Sequence, residues 1–219
     1  QLIMKKKIWI LFIAALFTVK LANAQQKAYE TMVDGVKVIV QPSGNDIVEI
    51  QTIIKGGVAN YPADKSGIES LAMTALSECG TLKHDKNSFK DQLDKVSGAI
   101  YGFSGMDYSV VKMNCVKSDF ATVWPLYVEA ITTPKFDPKE FERIKEDAIN
   151  GLKEADGEPD AAIEKYANKV AFAGSNYAKD PDGTTESIEK LTPEETKAYY
   201  QSILTRSRML LVIVANLDK

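Results

Sequence analysis

One stretch, from Ser66 to Thr81, constrains the fold of this chain more than any other. Ser66 and Glu69 have the spacing of a capping box at a helix start, and Gly80 is the expected helix stop. Apolar residues recur between them at helical spacing and predict one buried face: Ile68, Leu71, Ala72, Ala75, Leu76 and Cys79. A different face is predicted to carry Ser70, Met73 and Thr74. The chemistry available to the chain depends on that second face.

The remaining pattern is typical of an α+β fold, with strands first, helices next and a returning strand. The predicted strands are 29–33, 36–41, 47–55, 99–104, 108–116 and 209–216. The predicted later helices begin near Asn87 and span 119–131, 137–155, 160–172 and 192–204. We therefore expect a mostly antiparallel sheet with helices packed on one face. The last strand is apolar almost throughout, which predicts a central position in the sheet.

The N-terminal 24 residues have the features of a secretory signal peptide. Three lysines precede the apolar run 8–19, and the A-x-A pattern at 22–24 predicts cleavage after Ala24. The apolar run is too short for a stable membrane anchor. The predicted location is therefore periplasmic or secreted. The mature domain would be 25–219, and we expect it to continue beyond Lys219 in a longer protein.

Charge and cysteine content narrow the set of partners. Removing the signal peptide leaves 23 basic against 30 acidic side chains, a net charge of −7, which argues against nucleic acid and anionic membranes as partners. Two cysteines remain, Cys79 and Cys115. An oxidising compartment would permit a disulfide between them, but each also suits a buried apolar position as a free thiol.

Several short motifs, taken in order, resemble the N-terminal domain of the insulinase/pitrilysin metallopeptidase family. The resemblance covers the chain from Val36 to its end. Its motifs are Ile53-Ile54-Lys55-Gly56-Gly57, Lys65-Ser66-Gly67-Ile68, Gly80-Thr81, Phe141-Glu142-Arg143-x-Lys145-Glu146 and Leu191-Thr192-Pro193-Glu194. The order and spacing of these pieces carry the resemblance.

In active members the first helix carries H-x-x-E-H, which the resemblance places at Ser70, Met73 and Thr74. The histidines bind zinc, and the glutamate is the general base for the zinc-bound water. Counting back from Gly80-Thr81 instead places these slots at Leu71, Thr74 and Ala75. The third ligand, a glutamate on a later helix, corresponds to Gly151. Every slot is degenerate in either register, so we predict no catalytic residue, no metal ligand and no cofactor.

Other candidate groups have simpler interpretations. His84 is the only histidine, and we expect a solvated surface residue in a lysine-rich loop. Glu69 is interpreted as the capping residue, and Glu78 is expected to be exposed near the helix end. Three glutamates share one solvated helix face, namely Glu142, Glu146 and Glu154.

The resemblance then implies a non-catalytic, pseudo-peptidase member that helps to form a peptide-holding chamber. Its expected partner is an active paralogous subunit or a second similar domain. Residues 102–105, with Tyr101 and Phe103, are a candidate sheet edge for an extended peptide, although an ordinary glycine-containing strand and turn is the favoured explanation. Two other functions remain open: a zinc metallopeptidase with a noncanonical site, and a purely structural assembly subunit.

Overall fold

The computed structural model describes residues 27–216. The predicted signal peptide with its cleavage point, and the last three residues, lie outside this range. The described strands are β1 (Tyr29–Val33), β2 (Val36–Pro42), β3 (Ile47–Lys55), β4 (Ala99–Ser104), β5 (Tyr108–Val116) and β6 (Met209–Ala215). The described α-helices are α1 (Ile68–Glu78), α2 (Lys86–Asp94), α3 (Phe120–Thr132), α4 (Pro138–Gly157), α5 (Pro159–Ala171), α6 (Thr185–Lys190) and α7 (Pro193–Ile203).

The strands form one sheet in the order β1-β2-β6-β3-β5-β4. Neighbouring strands run antiparallel except β2 and β6, which pair in parallel. The returning strand β6 lies between β2 and β3, so its predicted central position is confirmed. The α+β prediction of a mostly antiparallel sheet is confirmed as well.

Helices cover one face of this sheet and bury alternate strand residues. On β3, Val48, Ile50 and Ile54 are buried, whereas the opposite face of the strand stays partly exposed. The buried residues meet the apolar face of α1, whose six predicted members are all buried. One core therefore supports both α1 and the sheet beneath it.

Three turns and helix caps form where the local sequence favours them. Asp34-Gly35 forms the β1–β2 turn with positive φ at both residues. Asp137 accepts hydrogen bonds from the first turn of α4, and Thr192 accepts one from the first turn of α7. The helix α6 was not among the predicted helices.

Among residues 27–216, no helix combines the length and the apolar character that a bilayer crossing requires.

Candidate functional site

The start of α1 differs from the capping box that the sequence predicts. Gly67 is the residue before the helix, in the left-handed conformation with φ 88°, and no side chain caps the helix. The Ser66 hydroxyl instead donates to the Asp180 carbonyl oxygen at 2.5 Å, and the Ser187 hydroxyl donates to the Ser66 carbonyl oxygen at 2.8 Å. The loop before α6 and α6 itself thereby hold the residue that precedes α1 in place.

A cleft of about 620 Å³ lies between α1 and α4, and three of the four predicted slots line it. Ser70 and Thr74 line it from α1, and Gly151 lines it from α4. Leu71, a slot in the alternative register, also lines the cleft, whereas Ala75 is fully buried. The family resemblance therefore places the residues of one expected site at one place in the fold.

Met73 does not share this face, so the prediction that groups it with Ser70 and Thr74 on one face is wrong. Its side chain is 0% exposed and lies toward the sheet. A side chain at Gly102 of β4 would overlap the Met73 carbonyl oxygen, which shows how closely α1 approaches the edge strand. Position 73 lies on the side of α1 that packs against β4, whereas positions 70 and 74 border the cleft.

The hydroxyl groups at the cleft already have partners. Ser70 Oγ donates to Asp182 Oδ1 at 2.9 Å, and Thr74 Oγ1 donates to the Ser70 carbonyl oxygen at 3.0 Å. Neutral hydroxyls and a glycine lack the nitrogen, thiolate and carboxylate donors that zinc takes in proteins. Within residues 27–216, we found no group of three or more His, Cys, Asp and Glu side chains that could hold a metal ion.

An ion-pair network lies at the Glu78 end of the cleft. Because Glu78 takes part in this network, the expectation that it is exposed is wrong. Glu78 is half-buried and accepts hydrogen bonds from Arg143 at 2.8 Å and Lys90 at 2.6 Å. Arg143 also pairs with Glu140 and Asp147. Burial raises the pKa of Glu78, but the hydrogen bonds from Lys90 and Arg143 outweigh that effect and lower it. The expectation failed because these cations come from α2 and α4.

Glu69 is a structural residue of a different kind from the predicted cap. Its carboxylate is 0% exposed, and both oxygens accept the Gly57 N–H at 2.9 Å. Oε1 also accepts the Ser109 hydroxyl, and Oε2 accepts the Tyr199 hydroxyl. Burial, followed by the hydrogen bond to Glu69, raises the pKa of Tyr199. One buried carboxylate thus connects α1 to β5, to α7 and to the turn after β3.

Sequence reasoning missed this role of Glu69, although a signal was present. The residues Ala72, Met73 and Leu76 lie three, four and seven positions after Glu69, and all are buried. That spacing puts Glu69 on the buried side of α1. Asp182 was missed for a different reason, since only tertiary structure brings it to Ser70.

His84 is not the solvated residue that was expected. It is half-buried, and its Nδ1 lies 2.8 Å from Oε2 of Glu129. Burial raises the pKa of Glu129, but hydrogen bonds from Lys83 and His84 lower it overall.

Both cysteines are free and buried, and burial raises the pKa of Cys79 to about 12. The expected exposed glutamates on α4 are exposed, namely Glu142, Glu146 and Glu154.

The strand β4 forms one edge of the sheet and contacts α1. It pairs with β5, and the Gly105 N–H donates a hydrogen bond to the Tyr108 carbonyl oxygen at the turn of that hairpin. This bond fixes the alternation, along β4, of residues whose backbone groups point toward β5 and residues whose backbone groups point away from it. By this alternation, the N–H and C=O groups of Ile100, Gly102 and Ser104 point away from β5. On the face away from the helices, Tyr101 and Phe103 are 41% and 47% exposed.

Comparison with known proteins agrees with the fold and with the motifs. The sequence profile described as Insulinase (Peptidase family M16) matches residues 37–202. Cytochrome b-c1 complex subunit 1, mitochondrial, of Mus musculus is 18% identical over 205 residues, which is 92% of this chain and 42% of that protein. The chain therefore spans less than half the length of this curated relative.

Two solved structures share the fold. The peptidase M16 inactive domain from Pseudomonas fluorescens superimposes with a TM-score of 0.80 at 17% identity, over 88% of this chain and 47% of that chain. The periplasmic protease PqqL from Escherichia coli gives 0.80 at 14% identity, over 89% of this chain and 22% of that chain. Because the family profile matches more than half of the residues, this chain belongs to the insulinase family, peptidase family M16.

Proposed function

We propose that this chain is a non-catalytic M16 member that holds an extended peptide together with a second M16 domain or subunit. One observation carries the proposal. Ser70, Thr74 and Gly151, the positions to which the family resemblance assigns zinc ligands, line one cleft, but they supply two hydroxyls and a hydrogen atom. The general-base slot, Met73, supplies a buried thioether.

These groups are poorly suited to metal-assisted hydrolysis. Zinc activates water only when nitrogen, sulfur or carboxylate ligands hold it, and a base must then accept the proton from that water. Three carboxylates line the cleft, namely Glu78, Asp147 and Asp182. Glu78 and Asp147 pair with Arg143, and Asp182 alone does not hold the ion. The P. fluorescens neighbour is itself described as an inactive M16 domain, and its similarity supports the same interpretation for this chain.

The edge strand β4 supports the peptide-holding part of the proposal. Its outward backbone groups at Ile100, Gly102 and Ser104 suit the addition of another strand. The glycine at 102 keeps α1 close to this edge, so an added strand would lie beside the cleft. A non-catalytic domain could therefore bind the backbone of a peptide without cleaving it.

The lengths of the relatives support a partner. This chain corresponds to 47% of the P. fluorescens chain and 22% of PqqL. We propose that the partner is a second similar domain or an active paralogous subunit, and that the domain begins after the signal peptide at residue 25. The periplasmic location of PqqL supports a periplasmic location here.

Two measurements on the purified protein test the proposal. We expect substoichiometric zinc by elemental analysis after equilibration with zinc, and binding of a fluorescent Thr/Val nonapeptide by anisotropy. The same peptide N-methylated on four successive amides should bind much more weakly, because it cannot donate to β4. Stoichiometric zinc would instead support the noncanonical metallopeptidase, and the absence of peptide binding would contradict a peptide-holding role.

A purely structural role is the second candidate. It is favoured by the similarity to cytochrome b-c1 complex subunit 1, which is named as a subunit of an assembly. A structural subunit should bind neither peptide, so the anisotropy measurement separates the two roles.

A further inference from the structure

The two ends of the α1–α4 cleft differ in charge. At the Glu78 end, three cations face three carboxylates: Arg143, Lys86 and Lys90 pair with Glu78, Glu140 and Asp147. This end is therefore electrically balanced. Ser70 marks the other end, eight residues earlier on α1, which is about 12 Å along the helix axis.

Asp182 leaves the Ser70 end with an uncompensated negative charge. Its side chain is exposed at the cleft and accepts the Ser70 hydroxyl. The nearby Lys165 pairs with Asp156 at 3.0 Å and with Asp180 at 3.8 Å. In the part of the chain that the structure describes, no lysine, arginine or histidine forms an ion pair with Asp182.

The wall between the two ends is apolar. Leu71, Ile144, Leu152 and Ile188 line the cleft while being buried within the core. Gly151 contributes no side chain to this wall, and the space beside it is open, because a Cβ there would meet no atom within 4 Å. An apolar wall that ends at a lone carboxylate matches a side chain with an aliphatic stem and a cationic head.

The cleft is also placed where a bound peptide would put a side chain. Met73 contacts the edge strand at Gly102, and the next residue, Thr74, lines the cleft. Successive side chains of a strand point to opposite faces of a sheet. A peptide added to β4 would therefore direct every second side chain to the helix-covered face, beside α1.

We propose that the cleft left by the degenerate metal slots is a side-chain pocket for a lysine or arginine of the held peptide. The aliphatic stem packs on the apolar wall, and the cationic head pairs with Asp182. This inference rests on the proposed peptide-holding function and names the chemical class of peptide that the site selects.

The test compares two fluorescent nonapeptides, one Thr/Val peptide with a central lysine and the same peptide with norleucine there. We expect the lysine peptide to bind roughly fivefold more tightly at low salt, the size of an exposed ion pair. Asp182→Asn keeps an acceptor for Ser70 and should remove that preference without weakening norleucine binding. Glu189→Gln removes an exposed acid on α6 outside the cleft lining and should leave the preference intact.

The outcomes separate the two proposals. Equal binding of both peptides to the wild-type protein, or a lysine preference that survives Asp182→Asn, overturns the side-chain pocket while peptide holding stands. Failure of both peptides to bind overturns peptide holding, and the pocket proposal with it. Circular dichroism and urea unfolding confirm that each variant is folded before binding is compared.

Discussion

Adjacent residues on α1 meet opposite surroundings. Glu69 faces inward and satisfies three buried donors, whereas Ser70 faces the cleft and makes one hydrogen bond to an exposed aspartate. The inward side joins four parts of the fold through one carboxylate, and the cleft side joins only α1 to the loop before α6. A single helix thus separates a scaffold side, where polar groups stabilise the fold, from an open side, where substitutions can accumulate.

In the non-catalytic role that we propose, the difference would let the family fold persist without the family chemistry. Ser70, Thr74 and Gly151 border a cleft, so substitutions there affect the interior of the fold little. Loss of Glu69 would leave three donors unpaired in the core. We therefore expect stability to depend on the scaffold side and peptide selection on the open side.

The largest expected effect comes from Glu69→Ala. The substitution leaves the Gly57 N–H and the Ser109 and Tyr199 hydroxyls without an acceptor, which should cost about 3–5 kcal/mol in the free energy of unfolding. Ser70→Ala, at the next residue of α1, should lower the free energy of unfolding by roughly 0.5 kcal/mol or less. Urea unfolding at pH 7 measures both.

Tyr199→Phe provides a milder variant in case Glu69→Ala does not fold. It removes one donor and should cost about 1 kcal/mol. If Glu69→Ala and Ser70→Ala lowered the free energy of unfolding equally, the contrast between the two sides of α1 would be wrong.

The next effect concerns the contact between α1 and the edge strand. Gly102→Ala puts a Cβ into the Met73 carbonyl oxygen, so strand and helix must separate, at a cost of about 1–3 kcal/mol. Gly105→Ala is the matched control in the same hairpin, because its Cβ would lie 3.4 Å from the Tyr108 carbonyl oxygen, an ordinary contact. Urea unfolding should show a clear loss for Gly102→Ala and little change for Gly105→Ala; equal losses would contradict the close approach.

The fold could be predicted because its local signals agree with one another. Asp34-Gly35 marks a hairpin, the apolar β6 marks a central strand, and Asp137-Pro138 marks a helix start. The short α6 escaped prediction because its six residues carry little apolar periodicity, and its capping box joins Thr184 to Ser187 rather than to a glutamate.

The site was predictable only in part. The motif order predicts Ser70, Thr74 and Gly151 in one site, and all three line one cleft. Helical spacing does not specify which residue of α1 packs against β4, and Met73 was misplaced for that reason. At Glu69, a local capping pattern competed with helical periodicity, and periodicity was the better guide. The partners of His84, Glu78 and Ser70 lie between 12 and 112 residues away in the chain, beyond any local signal.

The smallest expected effect is an increase in the free energy of unfolding, and it tests whether the cleft is open on its α4 side. Gly151→Ala lies inside the 20-residue helix α4, where its Cβ would meet nothing within 4 Å. Alanine is the better helix former, so the variant should gain about 0.5–1 kcal/mol in the free energy of unfolding, measured by urea unfolding beside Gly102→Ala. Gly151→Glu, which places a carboxylate at the predicted third-ligand position, should also fold, because its side chain enters the cleft. A destabilised Gly151→Ala would mean that the cleft wall is packed at this position. The proposal that the cleft accepts a basic side chain would then lose its support.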